Sequence, residues 1–427
     1  MHGDPLAPVL LILLIVLAAA KLGSEIFERL GQPAVLGELI IGLVLGNLVL
    51  LNPDWTLFEP LRAAHITGGW AHIIDSLARL GVILLLFEVG LESTVSEMAK
   101  VGTSSLLVAL VGVIAPFILG FGVSYLFIKE VPAYVLVHLP DDFNVLNIHL
   151  FIGATLCATS VGITARVLKD LGKLQTKEAK IVLGAAVIDD VLGLIVLAVV
   201  SAIVSASITG SEVGTLSLVR IAGTAIGFFV VAIALGVAVV PRILHYLAKV
   251  RTAGMMVISS LLLCFLLSWL ADAVGLATIV GAFAAGLILE EVHFKEFKET
   301  IHLHELIRPI STLFVPIFFV LMGIQVRLET FADSSVVGLA LGLTVAAIIG
   351  KQVCGLAVLE KRLDRVSIGV GMIPRGEVGL IFAGIGKALN IVDGALYSAI
   401  VIMVILTTLI TPPALKFTLS RWDRREN

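Results

Sequence analysis

The sequence predicts an all-helical, polytopic membrane protein with thirteen spans. Three observations predict it. The 427 residues are 59% hydrophobic and 14% charged, with a mean hydropathy of +1.09; soluble domains are about 25% charged. The apolar residues come in runs broken by polar or Pro/Gly punctuation, many of them long enough to cross a bilayer as helices. The cations between those runs concentrate in alternate connections. One soluble core cannot hide this much apolar surface, so the solvent is lipid.

The runs fall near 7–23, 34–51, 77–93, 102–127, 147–168, 179–205, 215–241, 253–273, 276–290, 309–326, 335–358, 365–388 and 394–416. The first has no positive stretch before it, so it reads as a retained span rather than a cleaved signal peptide. The second and ninth share a glycine pattern, and the third ends on Val89-Gly-Leu91. The fourth is apolar throughout. The fifth is rich in glycine and hydroxyls, and the sixth is apolar except for two adjacent aspartates. The seventh and eighth are apolar runs. The tenth follows a polar connection over 291–308. The eleventh contains Lys351, the twelfth contains Pro374, and the thirteenth leads into a basic tail. The longest polar connections are 52–76 and 291–308, so no extended soluble domain is expected and the work is done inside the membrane.

Charge tests the count. Of the 29 Lys and Arg, Arg79, Arg220, Lys351 and Arg375 lie inside spans. Thirteen spans put twenty-one of the others on one side and four, Arg62, Lys129, Arg327 and Lys387, on the opposite side. That asymmetry fits the positive-inside rule with the N-terminus outside and the C-terminus cytoplasmic. The net charge of −3, with no basic arm, argues against a nucleic-acid partner. No Walker-type glycine loop is present to bind nucleotide. Cys157, Cys264 and Cys354 all sit in apolar runs, an odd set that argues against a disulfide framework. No cofactor is expected.

An internal repeat follows. Gly37-Glu-Leu-Ile-Ile-Gly42-Leu-Val-Leu45 in span 2 matches Gly281-Ala-Phe-Ala-Ala-Gly286-Leu-Ile-Leu289 in span 9. Val89-Gly90-Leu91 in span 3 matches Met322-Gly323-Ile324 in span 10, and Val161-Gly162-Ile163 in span 5 matches Val378-Gly379-Leu380 in span 12. The partners lie seven spans apart, an odd number, so the copies face opposite ways across the membrane. Inverted repeats recur in secondary transporters.

Two spans read as interrupted helices. Span 5 runs Gly153-Ala-Thr155-Leu-Cys-Ala-Thr159-Ser160-Val-Gly162-Ile-Thr164, and span 12 runs Gly369-Val-Gly371-Met-Ile-Pro374-Arg375-Gly376-Glu377. Glycine and proline beside hydroxyls or charges are where membrane helices unwind. The breaks occupy corresponding places in the two halves, which points to a midplane site. Freed carbonyls and the hydroxyls of Thr159 and Ser160 offer hard oxygen ligands, suited to a hard cation. Arg375 and Glu377 compensate half-helix dipoles or pair with one another.

Asp189 and Asp190 stand together in the sixth run, Ile181–Val200. A charge at the centre of such a helix costs about 2.5–3.5 kcal/mol on insertion scales, and intramembrane acids mark ion or proton pathways. Neighbours on a helix point about 100° apart, so the two cannot share one pocket equally. Lys351 needs a carboxylate, and either aspartate can supply it. A carboxylate that holds a proton or a sodium ion, but not both, is the simplest antiporter. The alternatives are a channel and an intramembrane aspartyl protease. The protease needs its two carboxyls on different helices, which adjacent residues cannot provide. Arg79, Glu88, Glu38, Glu92, Asp272 and Arg220 read as structural or interfacial, and His293, His302 and His304 as linker residues.

Together, Phe87-Glu-Val-Gly-Leu-Glu92, Ala158–Val167, Gly184–Leu194, Gly350-Lys351 and Pro374–Leu380 resemble the bacterial monovalent cation:proton antiporter-2 family, in its NapA-like sodium/proton branch. The resemblance covers most of the chain. It implies an NhaA-type fold of thirteen helices, two of them broken and crossing. Residues 96–205 and 331–427 would form the core that carries the ion. Residues 1–95 and 251–330 would form a dimerisation domain, and 206–250 a linker. Core and dimer domain would move like an elevator within a homodimer. Asp190 matches the family's ion-binding aspartate, so the transported metal would sit there. Asp189 and Lys351 match its ion pair, Thr159 and Ser160 its first crossover, and Arg375 and Glu377 its second. The double aspartate implies electrogenic exchange of protons for Na+ or Li+ across a prokaryotic inner membrane, with potassium/proton exchange as the alternative.

Overall fold

The computed structural model describes residues 6–426 apart from 63–68, 93–101, 138, 141–142, 174–175, 210–214, 248, 250–251, 253, 290–302 and 361. Regular structure among the described residues is helical. The main helices are α1 (Ala7–Arg29), α2 (Ala34–Gly46), α3 (Gly69–Glu92), α4 (Thr103–Phe127), α5 (Leu146–Thr155), α6 (Val161–Asp170), α7 (Lys177–Ile208) and α8 (Thr215–Leu247). After them come α9 (Met255–Ala273), α10 (Thr278–Ile288), α11 (Leu303–Ile324), α12 (Ser334–Cys354), α13 (Arg365–Gly371), α14 (Gly376–Ala388) and α15 (Gly394–Glu426). Short turns of helix at Glu59–Arg62 and Ala133–Leu136 cap loops. Seven helices among the described residues are long and apolar enough to cross a membrane on their own, and α2, α5 and α10 are shorter apolar helices. The chain is an integral, multi-pass membrane protein.

The helices begin and end for local reasons. The Thr176 hydroxyl accepts from the Ala179 N–H at 3.2 Å, capping α7. Asp333 caps α12 through the Ser335 N–H at 2.8 Å, and Asp364 caps α13 through Val366 and Ser367. Pro8 falls in the first turn of α1, where its missing N–H costs nothing.

Several boundaries depart from the hydropathy reading. Span 2 was expected to reach residue 51, but α2 stops at Gly46. The Asn47 amide turns back to donate to the Leu43 carbonyl at 2.8 Å and across to Val326 at 2.9 Å, which diverts the chain into a 3-10 turn at Leu48–Leu50. Span 3 was expected from 77, yet α3 starts at Gly69. Its polar first turns lower hydropathy without breaking the helix, because Arg79 pairs with Asp75 at 2.8 Å, four residues apart. Span 10 was expected from 309, and α11 begins at Leu303, running through Pro309 and Pro316. His304 therefore stands in the first turn of α11, while His293 and His302 lie outside the described residues. The side chains of Glu92 and Arg220 do too. Asp272 is exposed near the end of α9, and Glu38 is buried at 6% exposure, accepting from the Ser24 hydroxyl at 3.0 Å.

Packing sorts the helices into two groups. In the first, α1, α2 and α11 pack together, α3 lies against α10 and α11, and α9 packs on α10. In the second, α4 contacts α5, α7 and α12, and α15 contacts α12, α13, α14 and α6. Helix α8 touches α7 on one side and α10 on the other.

Glycines make the first group possible. A Cβ on Gly42 would lie 2.2 Å from the Val320 carbonyl, and one on Gly323 2.1 Å from that of Leu39. The same arrangement recurs between α3 and α10: a Cβ on Gly90 would lie 2.3 Å from Phe283 O, and one on Gly286 2.2 Å from Phe87 O. Gly37 is in backbone contact with Gly23 of the preceding helix, as Gly281 is with Leu267 of its own. The glycines that match in sequence thus make matching contacts, α2 on α11 and α10 on α3. Lipid gives no hydrophobic drive for helices to associate, so close backbone approach supplies the attraction instead.

A side chain at these crossings must push two backbones apart. Gly323→Val is expected to cost several kcal/mol, above the usual 1–3 kcal/mol of overpacking, and to lower the thermal midpoint in detergent sharply. Gly122→Ala, which meets nothing within 4 Å, leaves the midpoint unchanged or raises it slightly. Equal midpoints for the two variants would show that the crossings are not tight.

Candidate functional site

The two broken spans meet. In the first, α5 ends at Thr155 and α6 starts at Val161; in the second, α13 ends at Gly371 and α14 starts at Gly376. Each break frees backbone groups that lipid cannot satisfy. The other break supplies their partners. The Ser160 N–H donates to the Pro374 carbonyl at 2.7 Å. The Thr159 hydroxyl donates to Met372 O at 3.2 Å, and the Thr164 hydroxyl to Gly371 O at 2.6 Å. Arg375, fully buried, reaches back to the Ala158 carbonyl at 2.6 Å and toward Ala347 O of α12 at 3.4 Å. A guanidinium thus lies against carbonyls left by the end of α5, where the dipole of the half-helix is negative.

Proline and glycine have distinct tasks here. Pro374 offers a carbonyl but no N–H, so no donor is stranded at the second break. Gly376 has φ +41°, and a Cβ on it would lie 2.5 Å from Ser160. Only glycine both adopts that backbone and lets the chains touch.

Beside the crossover runs α7, unbroken. Asp189 accepts a charged hydrogen bond from Lys351 Nζ of α12 at 2.8 Å, and both side chains are 0% exposed. Asp190 is 5% exposed, and helix geometry turns it about 100° from Asp189. The choice left open by the residues is thereby made: the lysine goes to Asp189. Gly112 of α4 leaves the space, since a Cβ there would stand 3.5 Å from Lys351 Nζ and 3.6 Å from Asp189 Oδ1. The break of the first span packs on α7 as well, with Ala158 against Gly193 a turn beyond the aspartates.

The structure therefore brings Thr159, Ser160 and Arg375 to one crossover, and Asp189 and Lys351 to one ion pair beside it. Arg375 links the two, because it bonds both the first break and α12. Glu377 belongs to the first turn of α14, but its side chain lies outside the described ones. The sequence reading did not single out Thr164 or Gly112. Thr164 was visible, four residues after Ser160 and so on the same helical face. Gly112 was not, because nothing local marks which glycine of an apolar helix faces a charge. Among the described residues no cluster of three or more His, Cys, Asp or Glu is placed to hold a metal.

Breaking one partner of a buried pair leaves the other charge stranded, typically at about 3–5 kcal/mol. Lys351→Met is thus expected to lower the thermal midpoint markedly, and Lys351→Met with Asp189→Leu to recover most of the loss. A double variant no more stable than the single one would mean the two residues are not coupled.

Comparison with known proteins agrees with this architecture. The sodium/hydrogen exchanger family, described as transmembrane, matches residues 11–421. The chain is 39% identical to the high-affinity Na+/H+ antiporter NhaS3 of Synechocystis, over 96% of this chain and 90% of that protein. It is 36% identical to the Na+/H+-K+ antiporter GerN of Bacillus cereus, over 96% of both chains. In fold it resembles the sodium proton antiporter MjNhaP1 of Methanocaldococcus jannaschii, with a TM-score of 0.66 at 15% identity, covering 97% of this chain and 99% of that one. With its family match spanning nearly the whole chain and its two breaks meeting beside a buried acid pair, the protein belongs to the sodium/hydrogen exchanger family.

Proposed function

We propose that this protein exchanges sodium, or lithium, for protons by secondary active antiport, with Asp190 as the carboxylate that carries one or the other. The observation that carries the reading is the division of labour on α7. Asp189 is held by Lys351 at 2.8 Å. Asp190 is adjacent on the same helix, is also buried, and is turned about 100° from it. A metal ion needs the carboxylate ionised, and a proton cancels that charge, so the two ions compete for one group. The Thr159 and Ser160 segment offers further oxygen ligands. Membership of a transporter family, and relatives named as sodium/proton antiporters, support the same reading. They also argue for a transporter rather than an enzyme.

Counting α5 with α6 and α13 with α14 as single broken spans turns the fifteen helices into thirteen passages. That count supports an NhaA-type fold with inverted repeats, an outside N-terminus and a cytoplasmic C-terminus. The two packing groups support a core of residues 96–205 and 331–427 that moves like an elevator against 1–95 and 251–330, with 206–250 linking them. We assign the protein to a prokaryotic plasma membrane, as a homodimer. A lysine that releases Asp189 during the cycle would carry a second proton and make exchange electrogenic. Potassium/proton exchange is the second reading, favoured by the resemblance to GerN, whose name includes potassium. A tenfold preference between the ions is only about 1.4 kcal/mol.

In proteoliposomes, Asp190→Asn is expected to fold and to abolish sodium-driven proton movement; exchange near the wild-type rate would remove Asp190 from the site. The apparent sodium affinity of the wild-type protein should weaken as pH falls. A value constant between about pH 6 and 9, around the range in which buried carboxylates can titrate, would contradict competition. Lys351→Gln should shift the reversal potential toward one proton per cation, and a reversal potential equal to that of the wild type would assign the second proton elsewhere.

A further inference from the structure

The two packing groups are stitched together at one end of α11. Lys387, in the last turn of α14, donates to Gln325 Oε1 at 2.8 Å. The Tyr397 hydroxyl of α15 donates to the Met322 carbonyl at 2.9 Å, and the Arg327 N–H donates to the Ser398 hydroxyl of α15 at 2.9 Å. Tyr397 and Ser398 are fully buried, and Gln325 is 5% exposed. Three side chains of the second group thus fasten to three residues within the stretch 322–327 of the first. Lys387 is the charged member, with its ammonium 5.3 Å from the centre of the Tyr397 ring.

Beside these bonds lies a cavity of about 370 Å³ between α3, α10, α11 and α14. Lys387 and Gln325 line it, with His72, Asp75 and Arg79 from α3. Its remaining wall is largely apolar, including Val82, Phe318 and Ile381. Among the described residues, the one carboxylate lining the cavity, that of Asp75, is engaged by Arg79 at 2.8 Å. Lys387 has a neutral amide as its close partner. Its α14 wall runs from Ile381 to Ala388, on the helix whose first residue, Gly376, is at the crossover. Eleven residues separate Gly376 from Lys387, about 17 Å along a helix.

We infer that Lys387 controls access to the transport site: its bond to Gln325 holds this end of the contact between the two helix groups shut, and its release lets a cation pass along α14 toward the aspartates. The inference rests on the antiport reading. A hydrogen bond from a charged donor to a neutral acceptor suits the role, because it is strong enough to hold yet weaker than a buried ion pair. An ion pair at the same place would close the path more firmly. A neutral side chain in place of the lysine would remove the bond. By the charge asymmetry of the loops, this end faces the outside.

The test uses a thiol reporter that works whatever ion is moved. Cys157, Cys264 and Cys354 are all buried, and a Cβ on Gly384, a cavity residue, would meet nothing nearer than Met322 Sδ at 3.7 Å. In full-length Gly384→Cys protein in liposomes, where Gly384 is half-buried, modification by a membrane-impermeant maleimide sets the parent rate. Adding Lys387→Met should raise its rate about tenfold or more, and Lys387→Arg should not. Adding Gln325→Glu should lower the rate below that of the parent and slow sodium/proton exchange. If neither Lys387→Met nor Gln325→Glu changes the labelling rate, the pair does not hold the path shut. If labelling changes while the exchange rate and the apparent sodium affinity of all variants stay at the parent values, the pair is a structural clasp and the access role is overturned. Loss of all sodium-dependent proton movement in the wild-type protein, with the labelling pattern as expected, would instead overturn the antiport reading and leave the closure intact.

Discussion

A membrane interior has no water to satisfy a backbone group, and that constraint governs the centre of this protein. Two spans give up their helices near the midpoint. The groups this frees would be ruinous to leave alone, each costing several kcal/mol. The chain resolves the cost by reciprocity. Ser160 N–H, Thr159, Thr164 and Arg375 serve the oxygens of Pro374, Met372, Gly371 and Ala158. Neither broken helix could persist without the other. The result is a small polar region of fixed backbone dipoles in an apolar slab, the kind of place where an ion can shed water.

The second consequence is electrostatic. A lysine and an aspartate, both at 0% exposure, stand 2.8 Å apart beside that region. Their pairing keeps two charges in the membrane at bearable cost, and Gly112 keeps the space for it. Arg375 is a further buried charge there, and its partners are carbonyls rather than an acid. Charge at the centre is therefore organised in two ways, as an ion pair on α7 and α12 and as a cation against a helix end. The outer shell is organised by sterics instead. Glycine-to-backbone contacts bring α2 against α11 and α10 against α3.

Much of this was legible in the chain. Hydropathy showed the solvent to be lipid, because nothing else accommodates 59% hydrophobic residues with 14% charged. Pro374 and the clustered glycines and hydroxyls marked both breaks, because those residue types are the ones that unwind a membrane helix. Boundaries were less legible. Hydropathy placed the start of span 3 at 77, since His72, Asp75 and Ser76 are polar; the helix continues through them to Gly69, with the Ser76 hydroxyl donating to the His72 carbonyl and Asp75 accepting from Arg79. It extended span 2 to 51, since Leu48–Leu51 are apolar; the helix stops at Gly46 because the Asn47 amide has a partner 279 residues away.

Local chemistry alone determined that acids, a lysine and two weak points lie within spans, and that corresponding glycines repeat. Those are properties of residue type and spacing, and they survive without neighbours. Tertiary structure decided which aspartate Lys351 takes, which carbonyls Arg375 finds and which glycines touch. Adjacent positions on a helix differ by about 100° in direction, so a choice between Asp189 and Asp190 is a choice of which side α12 packs on. Residue type and spacing leave that choice open; the family resemblance had matched Asp189 and Lys351 to an ion pair, and the 2.8 Å contact agrees with it.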